Sequence, residues 1–272
     1  MTQSRSAPGG AQFSVEKVGG RSLRVARWHW DRLPRQTPLL FFNGIGANAE
    51  AIAPLAQAMP ERPFITLDMP GTGGSAEPLV PYNPALMAWT ARQLLRRLGI
   101  EQADVMGLSW GGIIAQHFAL QHRGMTRRLV LAATNAGMLA VPGNPAALWE
   151  LANPANWKTR HLARFHAGIM GAGIDDLKRL RPPSLRGYLY QAAALAGWTS
   201  APFLPFVKAP TLIMAGDEDR IVPAANARIL HRLIPGSRLE WFEGGGHLFL
   251  LSQRERAAAV LREFLDQTEE TR

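Results

Sequence analysis

Short, nearly unbroken apolar runs alternate along this chain with longer segments whose apolar residues recur every three to four positions. The runs cover residues 39–42, 64–67, 105–108, 129–132, 211–215 and 239–242. A strand buried on both faces has no reason to alternate polar and apolar residues, so these runs predict parallel strands covered on either side. The helical patterns between them cover 48–58, 83–98, 111–121, 224–233 and 252 to about 267. Asn83-Pro84 supplies a cap and first position for the second helix and Gly99 a stop. Ser252-x-x-Glu255 reads as a capping box for the last. Ahead of the first run, residues 13–18 and 21–27 flank Gly19-Gly20 as a hairpin. Strands alternating with helices after an opening hairpin give an α/β class with a mostly parallel sheet and helices on both faces.

One stretch breaks the rhythm. Between about 137 and 207 no strand pattern separates the helical pieces, and Trp149, Trp157, Tyr188, Tyr190 and Trp198 gather among many Ala and Leu. Asn144-Pro145 and Asn153-Pro154 look like helix starts. A helical insertion at this point lies over the C-terminal ends of the strands, where ligands bind in such sheets. The expected organisation is a core formed by 1–136 and 208–272 with a helical cap at 137–207. A helical decoration without substrate contact is the alternative.

Composition narrows the chemistry. With 272 residues, 47% hydrophobic and 19% charged, the chain has ample material for one large domain with an insertion. It contains no cysteine, which excludes disulfides, thiolate metal sites and a cysteine nucleophile. The polar start lacks the apolar core of a secretory signal, and no run approaches the ~20 residues that span a bilayer. A cytoplasmic protein without a transmembrane segment is expected. The net charge of +9 is dispersed, densest over 158–186 with Arg160, Arg164, Lys178, Arg179 and Arg181. No zinc-finger or RNA-binding signature accompanies it, so a solvated basic face or steering toward an acidic surface is expected and nucleic acid is not.

The candidate chemistry centres on Gly107-Leu108-Ser109-Trp110-Gly111, at the junction of a strand and a helix. That is the context of a nucleophile elbow, in which a serine on a sharp turn projects its hydroxyl clear of the sheet. Attack on an ester needs a base, and the base an orienting acid; in this fold they follow in the order acid, then histidine. His247, after Gly244-Gly245-Gly246, is the candidate base, and His231, inside a helix, the weaker alternative. Asp219 in Gly216-x-x-Asp219-x-x-Val222-Pro223 is the candidate acid, with Asp217 next. The backbone N–H groups of Trp110 and Ile45 are candidate oxyanion donors, the latter in the loop Asn43-Gly44-Ile45-Gly46. Asp68-Met69-Pro70-Gly71-Thr72-Gly73-Gly74-Ser75 lacks the spacing of a phosphate cradle and reads as a tight turn with Asp68 bonded to loop amides. Neither a metal nor a cofactor is called for.

These motifs resemble the α/β-hydrolase superfamily and, within it, the intracellular poly(3-hydroxyalkanoate) depolymerases acting on medium-chain-length polyester. The resemblance lies in Pro38 through Asn48 (Pro-Leu-Leu-Phe-Phe-Asn-Gly-Ile-Gly-Ala-Asn), Ser109-Trp110-Gly111-Gly112 and Leu129-Val130-Leu131-Ala132-Ala133-Thr134. It continues in Val141-Pro142-Gly143, Gly197-Trp198-Thr199-Ser200 and Gly246-His247-Leu248-Phe249-Leu250. It implies Ser109, Asp219 and His247 as nucleophile, acid and base, Asn43 and Trp198 as substrate-binding residues, and a hydrophobic polyester stored in granules as substrate. Granule association would follow. One departure stands out: relatives carry acidic residues directly before Gly-His, where this chain has Gly244 and Gly245. The readings kept beside it are a small-ester esterase, a C–C bond hydrolase or a cofactor-free haloperoxidase on the same scaffold, and a non-catalytic granule-binding module.

Overall fold

The computed structural model describes residues 5–6, 10–153 and 181–267. Nine strands form one sheet: β1 (Arg5–Ser6), β2 (Gln12–Val18), β3 (Arg21–Trp28), β4 (Leu39–Phe42), β5 (Phe64–Leu67), β6 (Ala103–Leu108), β7 (Thr126–Ala132), β8 (Thr211–Gly216) and β9 (Arg238–Phe242). Their order across the sheet is β1-β2-β3-β5-β4-β6-β7-β8-β9. The pairs from β5 through β4 and β6 to β9 are parallel, while β1, β2 and β3 pair antiparallel at one edge. All residues of β4, β5, β6 and β8 are buried, whereas β2 alternates toward solvent. Continuous apolar runs therefore mark the central strands β4 to β8, while the run in β9 belongs to a half-buried edge strand.

The helices are α1 (Ala53–Gln57), α2 (Pro84–Arg97), α3 (Trp110–Gln121), α4 (Pro145–Ala152), α5 (Leu185–Ala193), α6 (Ala225–Leu233), α7 (Phe249–Ser252) and α8 (Arg254–Leu265). Successive side chains of β4 point to opposite faces, so Leu39 and Phe41 join one core layer with α1 and α8. Leu40 and Phe42 join the other, with α2, α3 and α6.

Local chemistry decides the element ends. Asn83 Oδ1 accepts from Leu86 N at 2.8 Å, Asn144 Oδ1 from the amides of Ala146 and Ala147, and Ser184 Oγ from Gly187 N, capping α2, α4 and α5. Two expectations are corrected. Residues 48–58 form a 3₁₀ turn (Ala49–Ile52) before the short α1, because the Asp68 carboxylate takes Ala49 N at 2.6 Å and fixes that turn. The Ser252-x-x-Glu255 capping box does not form. Phe249, Leu250 and Leu251 are buried and draw Ser252 into the separate turn α7, so α8 starts after Gln253 with no side-chain cap.

β4 is the strand at which the order reverses. The chain leaving it returns to β5 on one side, while β6 and its successors lie on the other. The connections after β4 and β6 therefore diverge and open a crevice at the C-terminal ends of these two strands, where ligands bind in open parallel sheets. Within 137–207 the described residues form α4, α5 and a 3₁₀ turn (Leu204–Phe206), closed at the base by an isolated bridge between Gly137 and Thr199. The insertion begins beside the loop after β8: Val141 and the Asn226 amide exchange two hydrogen bonds, and Asn144 N donates to Arg220 O at 2.8 Å. The Asn153-Pro154 helix start, Trp157 and most of the basic stretch lie outside the described residues.

Candidate active site

Ser109 joins β6 to α3 with φ 55° and ψ −119°, a left-handed conformation in a residue other than glycine. Such backbone costs on the order of 1–3 kcal/mol and persists only where its surroundings enforce it. Here Ser109 N donates to Ala132 O at 2.9 Å, and Ser109 O accepts from Gly112 N (2.9 Å) and Thr134 Oγ1 (2.8 Å). The neighbouring glycines allow backbone to meet backbone. A Cβ on Gly107 would lie 2.2 Å from Gly111 O, one on Gly111 2.0 Å from Phe42 O, and one on Gly112 2.5 Å from Thr134 Cβ. The turn leaves no room for a Cβ at any of these three positions.

The acid and the histidine meet. His247 Nδ1 and Asp219 Oδ2 are 2.8 Å apart, and both side chains are almost wholly buried. The other carboxylate oxygen, Asp219 Oδ1, accepts the amides of Ile221 at 2.8 Å and Val222 at 2.9 Å. With both oxygens engaged the carboxylate cannot rotate, so it dictates the tautomer: Nδ1 carries the proton and Nε2 keeps its lone pair. The competitors lie elsewhere. Asp217 and Glu218 are exposed, and His231 pairs with Ser237 Oγ at 2.9 Å. Ser109 Oγ itself makes no hydrogen bond among the described residues, an arrangement compatible with catalytic contacts that tighten on substrate binding.

The glycines before His247 suit their backbone: Gly244 has φ +63°, and a Cβ on Gly245 would lie 2.8 Å from Phe242 O. Glu218 N donates to Gly245 O at 3.1 Å, and a Cβ on Gly216 would lie 2.0 Å from that same oxygen. The loops after β8 and β9 thus run backbone to backbone. This close approach holds the acid and the histidine in one unit.

The loop after β4 passes beside the serine, so that a Cβ on Gly44 would stand 3.7 Å from Ser109 Cβ. Trp110 N heads α3, where helix geometry supplies no acceptor, and neither it nor Ile45 N donates to a protein acceptor among the described residues. Both amides belong to the segments that meet at Ser109. Asn43 is buried with Nδ2 3.5 Å from Thr66 Oγ1, and Thr66 Oγ1 in turn donates to Phe41 O. Trp198 lies on the flank of α3, its indole N–H donating to His117 Nε2 at 2.8 Å. Burial pushes the His117 imidazole below its ordinary pKa.

The Asp68 turn was read from the sequence without its ion pair, and the Gln191 contacts were not read at all. Asp68 does bind loop amides, those of Ala49 and Gly74, and it also pairs with Arg24 at 3.1 Å, which clasps Glu50. Gln191, on α5, accepts from Gly46 N at 2.9 Å through Oε1 and from Trp110 Nε1 at 3.0 Å through its carbonyl. Nothing in an alanine-rich helix signals that contact beforehand. Among the described residues no three His, Asp or Glu side chains gather as a metal ion would need, and no helix is long and apolar enough to cross a membrane.

The sequence model described as "Alpha/beta hydrolase family" matches residues 39–260. The chain is 40% identical over 266 residues to a poly(3-hydroxyalkanoate) depolymerase of Ectopseudomonas oleovorans, covering 94% of this chain and 93% of that protein. It is 30% identical over 254 residues to a 2-hydroxymuconate semialdehyde hydrolase of Pseudomonas sp. (strain CF600), covering 84% and 86%. Among solved structures, the enol-lactonase of Burkholderia xenovorans LB400 superimposes with a TM-score of 0.80 at 21% identity, over 93% of this chain and 100% of that one.

Proposed function

Because the chain belongs to the alpha/beta hydrolase family, we propose that it is a serine ester hydrolase that depolymerises poly(3-hydroxyalkanoate), with medium-chain-length polyester as its substrate. The observation that carries the chemistry is the buried Asp219–His247 hydrogen bond at the same end of the sheet as the strained Ser109. The polyester rests on the 40% identity to the depolymerase along nearly the whole chain.

In this reading the ester carbonyl enters beside Ser109, and His247 Nε2 takes the hydroxyl proton as Oγ attacks. The oxygen that gains charge sits between the amides of Ile45 and Trp110, each such donor contributing about 2.7–4 kcal/mol to the transition state. As the C–O bond to the next monomer breaks, the imidazolium protonates its departing oxygen, giving a free hydroxyl, and an acyl-enzyme remains. Water deprotonated by His247 releases the hydroxy acid. Asp219 keeps Nδ1 protonated throughout and stabilises the imidazolium. Residues 137–207 act as the cap over this reaction, with Asn43 and Trp198 as substrate-binding candidates, and the protein works at polyester granules in the cytoplasm.

The test is release of 3-hydroxy acids from emulsified medium-chain-length polyester by the purified protein. Ser109→Ala should abolish it while leaving the unfolding transition in place. Wild-type-like release by that variant, or none by the wild type, refutes the reading. The similarity to a semialdehyde hydrolase supports a second reading, C–C bond cleavage on the same triad. A kcat/KM on a ring-cleavage product exceeding that on p-nitrophenyl octanoate and polyester would favour it.

A further inference from the structure

We propose that Gln191 is a positioning residue that couples the insertion to the oxyanion hole. The inference rests on the reading above, in which the amides of Ile45 and Trp110 bind the developing charge. Gln191 is fully buried, and its two hydrogen bonds go to the two segments that carry those donors.

The side-chain bond acts on the β4 loop. Gly46 N–H belongs to the peptide immediately after Ile45, so holding it on Gln191 Oε1 fixes the torsion on the C-terminal side of Ile45. Gly46 itself has φ +70°, and the loop's next internal bond, Ala47 N to Gly44 O, is a longer 3.2 Å. Without Gln191 that peptide could turn, and the donor amide beside it would lose its aim. A second tie from the insertion reaches the same loop, where Asn48 Oδ1 accepts Arg181 N at 3.0 Å.

The main-chain bond acts on the nucleophile's neighbour. α5 ends at Ala193, so the carbonyl of Gln191 lies in its last turn and lacks a helical acceptor role. The Trp110 indole takes that orphan oxygen, while its ring packs edge-on to Tyr82 with centroids 6.4 Å apart. One residue of the insertion thereby holds both walls of the hole.

The residue type argues against mere filling. Gln191 Nε2 is buried and completes no close hydrogen bond, the side chain interacting only loosely with the Tyr82 hydroxyl. A leucine or methionine would occupy the volume without stranding a donor, which costs about 1–3 kcal/mol. The amide is kept where its acceptor oxygen is used.

The experiment compares wild type, Gln191→Met and Gln191→Glu in single-turnover hydrolysis of p-nitrophenyl octanoate, with affinity for a trifluoromethyl ketone as a tetrahedral probe. Misplacing a reacting group by 1 Å costs on the order of 10²-fold. Gln191→Met should therefore lose about 10- to 100-fold in both acylation rate and ketone affinity while KM stays within about threefold. Gln191→Glu keeps an acceptor for Gly46 N–H but buries a carboxylate near the developing oxyanion, so its acylation rate and ketone affinity should fall together. Trp110→Phe removes the indole bond together with part of the buried ring and should lose acylation rate by a smaller factor. Should Gln191→Met not fold, Gln191→Glu and Trp110→Phe decide the matter through the same two readouts. A folded Gln191→Met with unchanged acylation, a loss confined to KM, acylation and ketone affinity that do not fall together, or an unchanged Trp110→Phe overturns the coupling. An inactive wild type would instead refute the hydrolase reading.

Discussion

Replacing Asp219 by Asn tests how the carboxylate controls the histidine. The two oxygens of Asp219 do different work: Oδ1 accepts two backbone amides and Oδ2 accepts His247 Nδ1–H. An asparagine can satisfy only one of these demands. With its oxygen on the Ile221 and Val222 amides, its NH₂ faces Nδ1 and forces the proton onto Nε2, where no lone pair remains for the serine proton. With its oxygen on Nδ1, the tautomer is right but two buried amides face an NH₂ group. Each unsatisfied buried donor costs about 1–3 kcal/mol, so reaching the active arrangement costs about 2–6 kcal/mol. At 1.36 kcal/mol per tenfold that is a loss in kcat/KM of roughly 30- to 2 × 10⁴-fold. Removing the charge that stabilises the imidazolium moves the expectation toward the upper end, near the ~10⁴-fold known for the equivalent change in serine proteases. The assay is initial-rate hydrolysis of p-nitrophenyl octanoate, with thermal unfolding to verify the fold and exposed Asp217→Asn as the control. A folded Asp219→Asn within about threefold of wild type, or an Asp217→Asn impaired as severely, would refute the reasoning.

Other expectations follow from single contacts. Gly111→Ala places a methyl 2.0 Å from Phe42 O, where only backbone can give way, and should cost about 3 kcal/mol or more in urea unfolding. A midpoint equal to wild type would mean the elbow is looser than described. His117 should make stability fall as pH drops. Its folded pKa is depressed, so the unfolded chain binds more protons between that value and the ordinary ~6.5. The stabilisation is therefore full above about 6.5 and is lost as pH falls through the folded value. Melting temperatures from pH 7.5 to 5 should decline less steeply in His117→Asn; identical slopes would exclude His117 as a contributor.

The parts of the site that were legible in the sequence are those fixed by local necessity. Gly107, Gly111 and Gly112 record close contacts at the elbow, and five of the six apolar runs record wholly buried strand segments, the sixth lying in the half-buried edge strand β9. The choice of Asp219 over Asp217 was legible from loop spacing, and the structure gives its basis in the two amides that follow it. The helix at 48–58 and the capping box at Ser252 were misread because distant groups overrode local pattern. Asp68 pulls Ala49 into a tighter turn, and burial of 249–251 starts a helical turn early. Gln191 and Gly46 stand 145 residues apart. No local pattern specifies that bond, since it exists only once α5 packs against the loop after β4.

The most direct measurement is mass spectrometry of the protein after exposure to a fluorophosphonate, with the modified peptide sequenced and His247→Ala treated in parallel. A single adduct on Ser109 in the wild type, and none in the folded variant over the same time, is the expected result. Modification at another residue, or equal labelling of Ser109 without the imidazole, would contradict the claim that residues 109, 219 and 247 act as one unit.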